Sequence, residues 1–234
     1  MSGNPTRMGA ADGVAAGPLR RAPNQRRSRE RVEAMLGAAT ALIAEKGSDA
    51  MRMGEVAERA GVSIGSLYQY FPDKGAIIRM LAERINAQGR ACIEAELAGV
   101  RDAEGLRQSF GRLVDIYYGM FLAEPVMRDI WSGTQADKGL RDLELADSRK
   151  NGALLADALH RITPGARRNE LEIKAFLIMQ LGEATMRIAI SVERREGDAI
   201  VEAYKQMALR EIAPGSAPPL AGEAGGRSEA KASG

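Results

Sequence analysis

The sequence predicts an all-α protein in two parts, a small N-terminal helical unit and a larger C-terminal one. Three observations predict it. Apolar residues recur at three- and four-residue spacing through nearly the whole interior of the chain. No stretch alternates apolar and polar residues as a half-buried strand does, and turn formers cluster only where one helical stripe stops and the next begins. With 234 residues and 45% hydrophobic content the chain has enough apolar material for a sizeable core.

The elements follow in order. Val32, Met35, Leu36, Ala39, Leu42 and Ile43 form one helical stripe, which Gly47 ends just after Lys46. Val56, Ala57 and Ala60 form a second, short stripe that stops at Gly61. Ile64 to Tyr70 form a third, and Pro72 ends it by pushing Phe71 out of the helical region. Ile77, Ile78, Leu81 and Ile85 open a longer fourth helix. Beyond Gly99 the pattern predicts helices over about 105–122, 124–132, 137–161, 168–194 and 198–212, with Gly197-Asp198 separating the last two. Residues 1–26 and 214–234 are rich in Gly, Pro and Ala without any period, so both ends are expected to be disordered. The working division is an arm over 1–26, an N-terminal domain over 27–88, a C-terminal domain over 89–213 and a tail over 214–234.

Composition excludes several classes of function. The single cysteine, Cys92, rules out an internal disulfide and fits a reducing cytoplasm, and the single histidine, His160, leaves too few ligands for a His/Cys metal site. The longest apolar run, Ile173 to Val192, is interrupted by Lys174, Glu183 and Arg187, which argues against a membrane span. No glycine-rich phosphate loop, HExxH motif or Cys/His cluster is present, so neither a catalytic set nor a cofactor or metal is expected. The formal net charge is only +2, but it is unevenly spread. Arg7, Arg20, Arg21, Arg26, Arg27, Arg29 and Arg31 face only Asp12 and Glu30 in the first 31 residues.

One stretch stands apart. GVSIGSLYQYFPDK, Gly61 to Lys74, gathers three aromatic rings into a chain that is only 4% aromatic, and sets small residues among them. From Met53 to Tyr70 the frame is a helix-turn-helix: Ala57 permits close crossing of two helices, Gly61 supplies the positive φ of the turn, and Ser63 caps the following helix. Leu67 then points inward, while Ile64, Gly65, Ser66, Tyr68 and Gln69 point outward, where small residues allow a DNA backbone to approach and tyrosines offer hydroxyls and flat faces. The alternative for Tyr68 and Tyr70 is half-buried packing. Asp73 caps a new helix beginning at Lys74, placing unpaired amides and an ammonium together as a phosphate would require; the alternative for Lys74 is a solvated charge.

These residues resemble the TetR-like (tetracycline-repressor-like) transcriptional regulators, over about Arg29 to Arg84 and most densely in EVAERAGVSIGSLYQYFPDK. The resemblance implies a homodimer on double-stranded operator DNA, with an N-terminal DNA-binding domain and a C-terminal domain for dimerisation and a small-molecule inducer. It assigns Ile64, Gly65 and Ser66 to the base-facing start of the recognition helix, Tyr68 and Tyr70 to groove and backbone contacts, and Lys74 to a phosphate. Ser63 and Gln69 flank them, and Arg29 and Arg52 are further DNA-facing candidates. Two positions depart from the family habit: Arg52 stands where threonine usually opens the second helix, and Gly75 where glutamate usually follows the lysine. A ligand-independent activator or global regulator, and a helical protein-interaction module, remain as alternatives.

In the C-terminal part, Tyr117, Phe121, Met127, Trp131, Phe176 and Met179 are the candidates for an apolar ligand cavity, the alternative being a dry core. The helices over 168–194 and 198–212 carry more apolar face than one chain can cover. Leu181, Ile188, Val192, Val201 and Tyr204 are therefore candidates for a four-helix dimer interface, the alternative being burial against the chain's own helices.

Overall fold

The computed structural model describes residues 21–133 and 137–213. Among them the chain forms nine α-helices and no strand: α1 (Arg21–Ala50), α2 (Met53–Arg59), α3 (Ile64–Tyr70), α4 (Lys74–Ala98), α5 (Ala103–Ala123), α6 (Pro125–Gly133), α7 (Lys138–Ile162), α8 (Arg168–Ala189) and α9 (Arg194–Ile212). The all-α expectation holds. None of these helices is long and apolar enough to cross a membrane. The C-terminal tail and residues 1–20 of the expected arm lie outside the described residues, but residues 21–26 are helical rather than irregular. Pro23 falls in the first turn, where its missing N–H costs no hydrogen bond, and Arg26 pairs with Glu30 one turn on at 2.8 Å.

Two hydrophobic cores are built in sequence. The N-terminal core gathers Met35, Leu36, Ala39 and Ile43 from α1, Val56 and Ala57 from α2, Leu67 from α3, and Phe71, Ile77 and Leu81 at and beyond the next turn. The C-terminal core gathers Leu106, Phe110 and Phe121 from α5, Leu155 and Leu159 from α7, Ala175 and Met186 from α8, and Val201 and Ala208 from α9. The division drawn at residue 88 falls inside α4, so no linker separates the two cores. Short α6 joins them further: Val126 and Ile130 enter the first core while Met127 and Trp131 enter the second.

Gly47 does stop the regular path of α1, with φ 81° and ψ 160°. The residues just after it turn back to meet α4 and α6. The other sequence boundary fares differently. α8 stops at Ala189 and α9 already starts at Arg194, so Gly197 lies inside a helix rather than between two. A Cβ on Gly197 would come within 2.3 Å of the Ala189 carbonyl oxygen, so this glycine serves close helix packing, a need that sequence punctuation does not distinguish from a turn. Gly152 has the same task between α7 and α8, where a Cβ would meet the Phe176 Cα at 2.9 Å.

Gly152→Ala is therefore expected to lower unfolding stability by about 1–3 kcal/mol, because backbone and not a flexible side chain must move aside. Gly119→Ala, on an exposed face of α5 with nothing within 4 Å of the new methyl, is expected to raise it by about 0.5–1 kcal/mol. Urea unfolding of both variants checks the pair.

Candidate nucleic-acid interface and interior cavity

The turn between α2 and α3 is fixed by the backbone. Gly61 has φ 66°, its amide donates to the Glu58 carbonyl at 3.1 Å, and the Val62 amide donates to the Ala57 carbonyl at 3.0 Å. This pair of bonds closes a helix with a left-handed glycine, as the sequence suggested. Ser63 Oγ then accepts from the Ser66 amide at 3.1 Å and starts α3. Leu67 is wholly buried, so the opposite face of α3 is held out: Ile64 is 45% and Tyr68 50% exposed, with Gly65 and Gln69 beside them. Two neighbours are less free than the sequence implied. Ser66 is half-buried, and Tyr70 is half-buried with its hydroxyl 3.1 Å from Ser28 Oγ, a tie between α3 and α1.

Around this helix the charges are sorted. Arg59 grips Glu45 with both guanidinium nitrogens and Arg84 does the same to Glu33, binding α2 and α4 to α1, while Arg29 and Arg52 are exposed. The helix that Arg52 opens lacks a side-chain cap, yet the Glu55 carboxylate reaches back to accept from the Arg52 amide at 3.2 Å and from Lys46 at 2.6 Å. Asp73 caps α4 by accepting from the Ala76 amide at 2.7 Å. Lys74 is half-buried, and its ammonium donates to the Ser48 and Asp49 carbonyls at 3.1 and 3.0 Å. It therefore ties the start of α4 to the end of α1, using two of its three donors.

The C-terminal part holds a partly open cavity of about 80 Å³ between α4, α5, α7, α8 and α9. Of the six residues expected there, only Tyr117 and Met179 line it. Phe121, Met127 and Trp131 are instead core: Phe121 stacks edge-on against Tyr117 at 5.0 Å and tilts against Trp131 at 6.1 Å. Phe176 is drawn to the α7–α8 contact, where Arg149 lies 5.1 Å over its ring. Helical periodicity put these rings inward but not against one particular void.

Sequence reasoning missed the cavity's polar wall. Asp147, Asn151, Glu183 and Asn86 are all buried and all line it. Ser148 donates to Glu183 at 2.7 Å, and Gln180 donates to Ser148 at 2.6 Å. Asn151 donates to Asp147 at 3.1 Å, and Arg90 pairs with the same carboxylate. Glu144, beside Glu183, is paired with Arg187 at 2.6 Å. Burial pushes the Glu183 carboxyl up to about 9, and the neighbouring Glu144 adds to this. Burial also raises Asp147 against the pull of Arg90, and raises the Tyr117 phenol well above its usual range. A signal was available: Glu144, Asp147, Ser148 and Asn151 repeat at helical spacing on the buried face of a helix otherwise lined by Leu140, Leu155 and Leu159.

The expected dimer residues also divide. Val201 and Tyr204 are buried within the chain, Tyr204 donating to the Ile178 carbonyl at 2.8 Å across a gap kept open by Gly182. Val192 lies in the turn after α8. Leu181 and Ile188 are exposed on α8, together with Ile173 and Leu177, and Met207 is exposed on α9.

A tight glycine turn, an inward leucine, an exposed second helix and a separate helical body define a helix-turn-helix regulator. Two family profiles agree: "Bacterial regulatory proteins, tetR family" matches residues 35–81, and "Tetracyclin repressor-like, C-terminal domain" matches residues 104–215. The chain belongs to the TetR family of transcriptional regulators. It is 42% identical over 66 residues to the transcriptional repressor KstR of Rhodococcus jostii, a match covering 26% of this chain and 31% of that protein, and so less than half of that relative. A TetR-family regulator from Streptomyces coelicolor has the same fold, with a TM-score of 0.61 at 24% identity over 79% of this chain and 96% of the other. So has the regulator FadR from Bacillus subtilis, solved with stearoyl-CoA, with a TM-score of 0.54 at 16% identity over 81% of this chain and all of that one.

Because Glu183 holds its proton more tightly folded than unfolded, the folded state binds more protons between about pH 4.5 and 9. The associated stability is fully present at the acid end and is lost as pH rises through the folded value. Glu183→Gln should flatten this fall and raise the unfolding midpoint most at the alkaline end. Thermal unfolding of both proteins from pH 5 to 9 tests it.

Proposed function

We propose that the protein is a homodimeric repressor that grips operator DNA with α3 and lets go when a small molecule enters the α4–α9 cavity. The observation that carries this reading is the path of α4. Its first residue, Lys74, sits beside the helix-turn-helix, while Asn86, Gly89 and Cys92, farther along the same helix, line the cavity. At about 1.5 Å per residue, Asn86 lies roughly 18 Å along a rigid rod from Lys74. Any ligand that shifts the cavity wall thus shifts the base of the DNA-binding unit.

In this reading Ile64, Gly65, Ser66, Tyr68 and Gln69 face base edges, Ser63, Tyr70, Arg29, Arg52 and Lys74 face the backbone, and the repressor works in the cytoplasm on double-stranded DNA. The repressor name of KstR and the ligand held by FadR support it by likeness. For the dimer, Ile173, Leu177, Leu181 and Ile188 fall within about 80° of arc on α8, an apolar stripe fit to pack against its own copy. Mobility shift of the DNA upstream of the protein's own gene, with and without candidate ligands, is the direct experiment; no shift at physiological salt overturns the reading.

Two outcomes sharpen it. Arg52→Ala should weaken specific and random DNA alike and reduce the salt slope by about 0.9 per lost phosphate contact in each subunit, whereas Tyr68→Ala should change sequence preference at a cost of about 1–3 kcal/mol. Titrations at several salt concentrations separate them. Ile188→Asp should give a folded monomer that no longer holds the operator, as sedimentation and mobility shift together would show.

A further inference from the structure

The cavity is apolar on most sides, with Phe110, Leu113, Tyr117 and Met179 among its walls, but one wall is acidic. Three carboxyl groups are buried there or just behind it, and only two of them have a guanidinium. Asp147 has Arg90 from α4, and Glu144 has Arg187 from α8. Glu183 faces Glu144 and Ser148 from α7, Gln180 and Arg187 from its own helix, Tyr117 from α5 and Tyr204 from α9; it accepts from Ser148 and Gln180 and shares a hydrogen bond with Glu144, but among the described residues it makes no ion pair of its own. A second, independent feature points the same way. Asn151 lines the cavity and is buried, yet its Oδ1 finds no hydrogen-bond donor among the described residues. The Asn151 oxygen lacks a donor and the Glu183 carboxyl, though hydrogen-bonded, lacks a cation of its own, and a ligand ammonium would supply both.

Building on the ligand-released reading above, we propose that the effector is a lipophilic amine, its apolar body held by the α5 and α8 side chains and its ammonium bonded to Glu183 and Asn151 Oδ1. An anionic effector of the same body is disfavoured, because its charge would enter beside the Asp147 and Glu144 carboxylates while Arg90 and Arg187 are already engaged with them. The proton balance is defined. In the empty cavity Glu183 carries its proton at neutral pH. Binding of R–NH3+ turns that carboxyl into the carboxylate of an ion pair and releases one proton to the buffer.

The test compares three probes of one body: 4-phenylbutylamine, 4-phenylbutanol and 4-phenylbutyrate. Calorimetry at pH 7 in phosphate and in Tris, whose ionisation heats differ, counts the protons. The amine is expected to bind at least tenfold more tightly than the carboxylate and to release close to one proton, while the alcohol releases none. Glu183→Gln should abolish proton release and bring amine and alcohol to within a few-fold of each other. Should that variant fail to fold, the comparison of probes on the unaltered protein decides alone. Carboxylate binding equal to or tighter than amine binding overturns the proposal, as does amine binding without proton release, or no amine binding at millimolar concentration. Mobility shift of the ligand-free protein, run in parallel, separates the outcomes: retained operator binding leaves the repressor reading standing when the amine fails, and lost operator binding removes that reading itself.

Discussion

The sharing of α6 and α4 between two hydrophobic cores is the constraint on which the rest of the molecule depends. α6 is only nine residues long, yet two adjacent faces of it enter different cores, Val126 and Ile130 among the N-terminal helices and Met127 and Trp131 among the C-terminal ones. A helix this short cannot satisfy one core and ignore the other. Its position is fixed further by Asp129, whose Oδ2 accepts from the Ser48 amide at 2.9 Å just past the break at Gly47. The end of α1 is thus held by α6 through that amide and by Lys74 of α4 through the next two carbonyls, so three helices meet at one junction of backbone groups. Packed interiors transmit displacement because they have no slack to absorb it.

The same logic explains why polar residues are tolerated in the C-terminal interior. A buried carboxyl without compensation is costly, and here the compensation is arranged in pairs: Arg90 with Asp147, Arg187 with Glu144, and Ser148 with Gln180 around Glu183. Each pair joins different helices or successive turns, Arg90 tying α4 to α7 and Arg187 tying α8 to α7. The polar layer therefore fixes the register of the cavity-forming helices, which an apolar core of interchangeable leucines would fix less well. Of the buried polar atoms without a hydrogen-bond partner among the described residues, Asn151 Oδ1 lies at the cavity, whereas Tyr118 Oη and His160 Nδ1 lie away from it.

The helix-turn-helix was legible in the sequence because its determinants are local. Gly61, Ser63, Pro72 and Asp73 act within three or four residues of themselves, and each does in the structure what its chemistry implied. The C-terminal part was legible only as helices. Whether Trp131 or Tyr117 faces a void, or whether Tyr204 is covered by its own chain or by another, depends on which helices lie opposite, and helical periodicity gives only the buried face and not the partner. Gly197 shows the same limit at a single residue. Its lack of a side chain was read as a turn, but the structure uses it for a close approach to the Ala189 carbonyl at the end of α8 and the Tyr118 hydroxyl of α5. The carboxyl cluster is an intermediate case: the polar stripe on α7 was visible in the sequence, but its partners Arg90 and Arg187 come from helices far away in the chain.

These threads meet in α4. Its N-terminus is locked by Asp73 and Lys74, its middle lends Asn86 and Gly89 to the cavity, and Arg90 one residue further binds the acidic wall of α7. In the proposed reading, a ligand in the cavity would lie beside the Arg90–Asp147 contact, and so beside the helix that carries Lys74. On that proposal, coupling would require no wire of side chains between distant sites. One continuous helix touches both, and the energy available for such coupling would be the difference in ligand contacts between two positions of that helix.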